Sequence, residues 1–353
     1  MVDMSLILCT ARDNYPIIDM PDVFLLEPML KSLETQTFRD FELVIVDAFY
    51  PEKRELIFSK KWRYPIKYVP PHPNHDLWIK KGIWGFAGML NTAIIHTEGE
   101  LIVKVDDCCK LPDEHYLKKF WDGYMSGYFP MALHVRYRKD KPVVVDDDYI
   151  KRGYEVLIAE DKENVIQRLK TLYGEGGVIR DTRWTQVEKV KRMIAPPNWF
   201  YGYSSFPINA ALRINGYNEL LDGQKGLEDV DFGIRLDMAG YHNVLTLDKD
   251  LWIIEYEHYP CKIKSPDVYK CNYGIIQYEQ SNGIYEANTW KLSKEDCYSI
   301  RKNICPKCPN YSRCLGEELK GQFFIDNEDF NLWLDNQRVF SLFDEMSGLL
   351  NPV

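Results

Sequence analysis

Four short runs, at residues 5–10, 41–47, 66–69 and 101–106, are apolar almost without interruption. Amphipathic stretches at 28–36 and 84–96 separate them, the first with Met29, Leu30 and Leu33 on one helical face. A strand with one wet face alternates apolar and polar residues; a strand covered on both faces does not. The pattern therefore predicts a parallel sheet buried between helical layers, an α/β fold. In such sheets ligands gather beyond the carboxyl ends of the strands. Two of the runs end there in an acid, Asp47 and Asp106.

The pattern continues less regularly. Residues 131–138 read as a further strand. Residues 146–195 form a charged insertion, with an amphipathic helix at about 156–173. The following Gly174-Glu175-Gly176-Gly177 reads either as the hinge of a lid or as a plain surface loop. Residues 226–239 read as a helix with Val230, Ile234 and Met238 on one face, followed by strands at 244–247 and 251–257. Beyond Pro260 the chain becomes irregular and cysteine-rich, then helical, so a domain boundary is expected near residue 260.

At 353 residues the chain is long enough for more than one unit. No apolar stretch approaches the ~20 residues that cross a bilayer. The first residues lack a basic segment and a small-residue cleavage site, and are expected to form a strand of a cytoplasmic protein rather than a signal peptide. A formal charge of -9 argues against broad binding to nucleic acid or anionic membrane. Lys80-Lys81 and Lys189-Val190-Lys191-Arg192 read as solvated helix faces.

Two acidic knots stand more than a hundred residues apart. Asp106-Asp107 follows the fourth apolar run. Carboxylates at a strand end suit Mg²⁺ or Mn²⁺, which take oxygen ligands and share their shell with substrate phosphates; a polar strand-to-loop junction is the plainer reading. Glu228-Asp229-Val230-Asp231 heads a helix, where the macrodipole favours acids without any function. Facing the first knot, it suits a general base that takes the proton of an attacking hydroxyl. Asp47 suits a hydrogen bond to a base or ribose, or a simple turn.

The stretch from Ser32-Leu33-Glu34-Thr35-Gln36-Thr37-Phe38 through Asp40-Phe41-Glu42-Leu43-Val44-Ile45-Val46-Asp47 resembles a signature of family 2 glycosyltransferases. Gly88-Met89-Leu90-Asn91 is similar to the family's helix with an ARN motif, and Gly99-Glu100-Leu101-Ile102 through Asp106-Asp107 to its GEYI…DxD. Gly216-Tyr217-Asn218-Glu219 resembles GGFDE, and Gly226-Leu227-Glu228-Asp229-Val230-Asp231 with Arg235-Leu236 resembles EDxDLxxRL. Order and spacing agree, over roughly residues 4–257.

The resemblance implies a GT-A fold over residues 1–260, with a nucleotide-binding half at about 1–110 and an acceptor half at about 111–260. It implies inverting transfer from a nucleotide sugar, commonly a UDP-sugar. By motif position, Asp47 and the Thr10-Ala11-Arg12 loop would hold the nucleotide with Asn91. Asp106 and Asp107 would bind Mn²⁺ or Mg²⁺, Asp229 would be the base, and Glu228 would orient the acceptor. Two positions depart from the family: Cys108 stands where the third residue of DxD is an acid, and Met89 where an arginine is usual. A thiol is a poor ligand for Mg²⁺, so His258, after the strand at 251–257, is a further candidate ligand. Trp199, Tyr201 and Tyr203 precede the GGFDE-like motif and are expected on the acceptor side, where rings pack on sugar faces; core packing is the competing reading.

Six of nine cysteines crowd the C-terminal third. Cys305-Pro306-Lys307-Cys308 with Cys314 and Cys297 gives four thiolates, a set that suits structural zinc or an iron–sulfur cluster. This region, 261–353, lies outside the resemblance. The acceptor stays open between a glycan, a lipid-linked sugar at a peripheral membrane site, a protein side chain and a hydroxylated nucleobase. A nucleotidyltransferase and a degenerate glycan- or nucleotide-binding module are the competing functions.

Overall fold

The computed structural model describes residues 2–11, 17–72, 85–156, 167, 169–170, 177–223, 226–247, 250–258, 272–285, 292–307 and 341–350. Strands β1 (Met4–Thr10), β2 (Phe41–Asp47), β3 (Ile66–Val69) and β4 (Leu101–Val105) lie parallel in the order β4-β1-β2-β3. A short strand, β10 (Ser205–Pro207), adds antiparallel to the outer edge of β4.

Every residue of β1, β2 and β4 is buried, as the unbroken apolar runs predicted. One face, with Leu6, Leu8, Leu43, Ile45, Val103 and Val105, packs on Met29, Leu30 and Leu33 of the Glu27–Glu34 helix and on Leu117 and Phe120 of the Tyr116–Met125 helix. The other, with Ile7, Val44, Val46 and Ile102, packs on Leu90 and Ile94 of the Phe86–Ile95 helix and on Phe232 and Leu236 of the Glu228–Met238 helix. Each fully buried aliphatic side chain stabilises by ~1.5–3 kcal/mol. Two-sided burial is why these strands carry few polar residues. The few polar side chains they carry, Ser5, Thr10, Glu42, Asp47 and Lys104, are buried as well, and Lys104 lies in the middle of β4 at 2% exposure.

The stretch at 131–138, expected as one strand, is two: β6 (Phe129–Met131) and β7 (Leu133–Arg138). The chain changes sheets at Ala132, whose N–H donates to the Tyr203 carbonyl. β6 pairs with β11 (Asn243–Thr246), and β7 pairs in parallel with β12 (Trp252–Tyr256). β9 (Arg192–Ile194) completes the order β6-β11-β9. β5 (Cys109–Lys110) and β8 (Lys141–Pro142) complete β5-β12-β7-β8. In the insertion, helices span Asp147–Val156 and Trp184–Val190; most of the expected 156–173 helix and of the glycine hinge lies outside the described residues. Near the C-terminus, the Asn272–Ser281 helix packs Ile275 and Ile276 on Leu220 and Leu221. The Leu342–Leu350 helix seats Leu342 in the main core, where its N–H donates to Asn215 Oδ1 at 2.7 Å. No helix among the described residues is long and apolar enough to cross a membrane.

Candidate active site

The chain leaves β1 for β2 and β3 on one side and returns to β4 on the other, so the order reverses between β1 and β4. A crevice opens where strand order reverses. Thr10 ends β1 and Asp106-Asp107 follow β4. Across that junction Thr10 Oγ1 donates to Asp107 Oδ2 at 2.9 Å, and Cys108 Sγ donates to Asp107 Oδ1 at 3.2 Å. Asp107, expected as a metal ligand, is buried; its Oδ2 ties the two strand ends together and its Oδ1 accepts from the neighbouring thiol. Cys108 turns into a small apolar cluster with Ile17, Leu25 and Tyr256.

Asp106 points the other way, with 41% of its side chain exposed. It lies close against Gly202, where an added Cβ would come within 2.4 Å of Asp106 Oδ2. Packing around its base pushes its pKa up to about 6; Asp229, Glu255 and Asp107 add to the rise and Lys104 opposes it. Glu255 arrives because β12 runs antiparallel to β5, pairing Glu255 with Cys109. Its Oε1 accepts from Arg136 Nη2 at 2.6 Å. Burial favours the neutral form of Glu255, yet Arg136, His134 and His258 hold its pKa down to about 2.

Asp229 sits in the first turn of the Glu228–Met238 helix with Glu228, which is buried, and Asp231. The helix begins after Leu227, a non-glycine residue at φ 76°. That conformation costs roughly 1–2 kcal/mol; Leu227 is held in it by packing against the cluster of Leu220, Leu221 and Ile275. Asp231 is fully buried and paired with Arg235 at 2.8 Å, so the third acid of the motif braces the helix. Asp229 remains 24% exposed, and its Oδ1 has no hydrogen-bond donor among the described residues.

The two acidic knots converge, and they do so on Lys104. Its Nζ lies 3.4 Å from Asp106 Oδ1 and 3.4 Å from Asp229 Oδ2. Burial alone would lower the lysine pKa; Asp106 and Asp229 outweigh it and hold the value above that of an ordinary lysine. Lys104 is therefore a charged group in an otherwise apolar layer, 5.2 Å above the Phe86 ring.

Two other expected site residues, Asp47 and Asn91, spend their polar atoms on partners away from Lys104. Asp47 is fully buried; its carboxylate accepts from Lys53 Nζ at 2.9 and 3.0 Å, from Tyr68 Oη at 2.6 Å and from the Phe49 N–H at 3.0 Å. Asn91, also fully buried, donates to the Tyr217 carbonyl and to Glu219 and accepts from the Tyr217 N–H, stapling the Gly216 turn to the Phe86–Ile95 helix. The first-turn N–H groups of that helix, at Ala87 and Gly88, are occupied by Asp222 at 2.8 Å each. Ala11 is partly buried beside the second core layer, and Arg12 lies outside the described residues. His258 sits past β12 with Nε2 3.9 Å from Glu255 Oε1.

Of the three aromatics, Tyr203 is 1% exposed and its hydroxyl donates to Glu255 Oε2 at 3.2 Å, which makes it a prop beneath Glu255. Tyr201 is half-buried, donates to Asp181, and carries the Arg183 guanidinium over its ring at 3.5 Å. Trp199 is half-buried against Met131, Leu133 and Val187. Asp181 and His134 had no signal in the sequence. They enter as a network in which Tyr201 Oη lies 3.0 Å from His134 Nδ1 and Arg183 binds Asp181 with two nitrogens. Burial opposes the charge on Asp181, and Arg183 overcomes it, holding that carboxyl below its usual range. Lys104 had one signal: two residues before Asp106 on a strand, it must share that residue's face.

Among the described residues no three His, Cys, Asp or Glu side chains form a closed metal cage. The donor set fits a divalent cation only in shared form, with Asp106 as the open carboxylate and substrate oxygens completing the shell, as Mg²⁺ and Mn²⁺ commonly bind. Of the C-terminal cysteines, Cys297 is buried on the Lys294–Ser299 helix among Leu220, Ile275 and Ile300. Cys308, Cys314 and the side chain of Cys305 lie outside the described residues, and with them the expected zinc or iron–sulfur set.

No family model matches the sequence, and no curated protein matches it. Among solved structures, residues 1–349 of S. aureus TarS in complex with UDP-GlcNAc align with a TM-score of 0.54, at 12% identity, over 94% of this chain and 81% of that one. The mannosyltransferase PcManGT from Pyrobaculum calidifontis, in complex with GDP-Man and Mn²⁺, aligns with a TM-score of 0.44, at 14% identity, over 99% of this chain and 87% of that one. At such identity the likeness to TarS is one of architecture: this chain has a mixed α/β fold with a parallel-rich sheet flanked by helices, shared with that glycosyltransferase fragment.

Proposed function

We propose that the chain is an inverting glycosyltransferase, moving a sugar from a nucleotide-sugar donor to a hydroxyl acceptor. The observation that carries this reading is the meeting of Asp106 and Asp229 on Lys104 at the point where the strand order of the sheet reverses. Asp229, whose carboxylate is 24% exposed, is the base. It takes the acceptor proton as the acceptor oxygen bonds to the anomeric carbon; the bond from that carbon to the β-phosphate oxygen breaks, and the nucleoside diphosphate leaves with its electron pair. Glu228, one residue earlier in the same turn, orients the acceptor. A divalent cation, held by Asp106 with the diphosphate oxygens and with His258 as a further ligand, would neutralise charge on the leaving group. Tyr201, Asp181 and His134 form the polar wall nearest the acceptor. The TarS fragment was solved with UDP-GlcNAc, so UDP-sugars are the first donors to test.

The test is a panel of nucleotide sugars, scored for thermal stabilisation and for release of free diphosphate, with and without Mn²⁺. A ligand at a hundredfold excess over its Kd stabilises by about 2.7 kcal/mol. The expected result is stabilisation by UDP or one UDP-sugar that is lost in Asp106→Ala, with UDP as product. Release of pyrophosphate would instead identify a nucleotidyltransferase. Binding without turnover under any acceptor would identify a glycan- or nucleotide-binding module.

A further inference from the structure

A lysine in the apolar face of a central strand needs a reason. Lys104 neighbours Ile102 on β4, in the layer that also holds Ile7, Phe206 and Phe232. An unpaired ammonium there would be strongly unfavourable, and an uncharged side chain of similar length would pack more cheaply. Its Nζ is instead equidistant from two carboxylates, one 2 residues and the other 125 residues along the chain from it. Both separations, 3.4 Å, are longer than a charge-assisted hydrogen bond at its best, about 2.7–2.9 Å. The ammonium is thus shared between Asp106 and Asp229 rather than committed to either. Remove its charge and two carboxylates flank a neutral side chain with no cation between them among the described residues.

We propose that Lys104 is a resident cation of the candidate site: it positions Asp106 and Asp229 before any substrate arrives, and supplies part of the positive charge that a divalent cation would otherwise bring. The proposal rests on the reading that these carboxylates form the donor and acceptor sides of one site. It has a direct consequence for metal binding. A cation on Asp106 must share that carboxylate with the ammonium and is repelled by it. Neutralising Lys104 therefore strengthens metal binding, and metal in turn restores the join between the two elements. A lysine that only fills space predicts neither effect.

The experiment uses the full chain as wild type, Lys104→Met, Lys104→Arg and the double variant Lys104→Met/Asp106→Ala. Mn²⁺ affinity is measured by electron paramagnetic resonance of the free ion, and melting temperature in EDTA and in Mn²⁺, without nucleotide. Lys104→Met is expected to melt lower than wild type in EDTA, to recover in Mn²⁺, and to bind Mn²⁺ at least about tenfold more tightly. Lys104→Arg, which keeps the charge, is expected to stay near wild type, and the double variant to lose the Mn²⁺ response. An equal melting deficit in EDTA and Mn²⁺, with unchanged Mn²⁺ affinity, overturns the proposal. Should Lys104→Met fail to fold even in Mn²⁺, Lys104→Gln is measured in its place, and failure of both to fold in Mn²⁺ also overturns the proposal, because one cation replacing another must leave a foldable chain. The functional reading fails on a separate observation, absence of any nucleotide response in wild type, so the two failures are distinguishable.

Discussion

Asp47 and Asp106 present the same local picture: an aspartate at the carboxyl end of an apolar parallel strand, with a buried lysine beside it. Their fates differ. Asp47 is closed over, with its oxygens accepting from Lys53, Tyr68 and the Phe49 N–H. Asp106 is open, and its lysine is shared with Asp229 at a longer distance. A carboxylate whose acceptor positions are filled is a strut. One whose neighbours are too few, and are contested by another acid, has capacity left for a ligand.

The comparison breaks first at the base. Asp229→Asn is expected to lower turnover by about 100- to 10,000-fold, the usual range for a general base, in a protein that still folds because Asp106 continues to partner Lys104. If donor turnover is untouched, Asp229 is not the base. Asp47→Ala should do the reverse: Lys53 is left buried without its partner, and stability falls by about 3–5 kcal/mol, read by denaturant unfolding, which must be corrected for before any activity loss is assigned to chemistry. A strut reading is wrong if that variant folds normally and fails only to bind nucleotide.

Gly202→Ala sharpens the contrast without touching a charge. The new methyl would meet Asp106 Oδ2, the movable end of a side chain, so the fold should hold while the carboxylate shifts. A misplacement of that order costs roughly a hundredfold in rate; unchanged kinetics would mean that the position of Asp106 is unimportant. The smallest effect concerns pH. Glu255 is held at about 2 against an ordinary 4.5, so its ionised form stabilises the fold fully above pH 4.5, and that contribution is lost as pH falls toward 2. Glu255→Gln should flatten the acid slope of stability in that window. An unaltered slope would mean that Arg136 and the two histidines do not hold Glu255 ionised.

The carboxyl edge of the sheet was legible in the sequence because two-sided burial leaves a compositional mark on each strand, and because helix-heading acids mark a start. The split of 131–138 at Ala132 was not legible, since both halves are apolar enough for a strand and only their partners β11 and β12 differ. Asn91 and Tyr203 kept their motif positions but spend their polar atoms on Tyr217, Glu219 and Glu255. A motif names a residue type and a spacing; it does not count the donors around it.

By itself, the amino-acid order determined which segments of the parallel sheet had to be inside, roughly where those strands ended, and which ends carried acids, because burial and helix polarity act on neighbours along the chain. Only the tertiary structure decided that Asp107 would turn to Thr10 while Asp106 stayed open, and that Lys104 would stand between Asp106 and Asp229. Those outcomes depend on which groups from distant elements arrive within about 3–4 Å, the range over which hydrogen bonds and desolvated charges act.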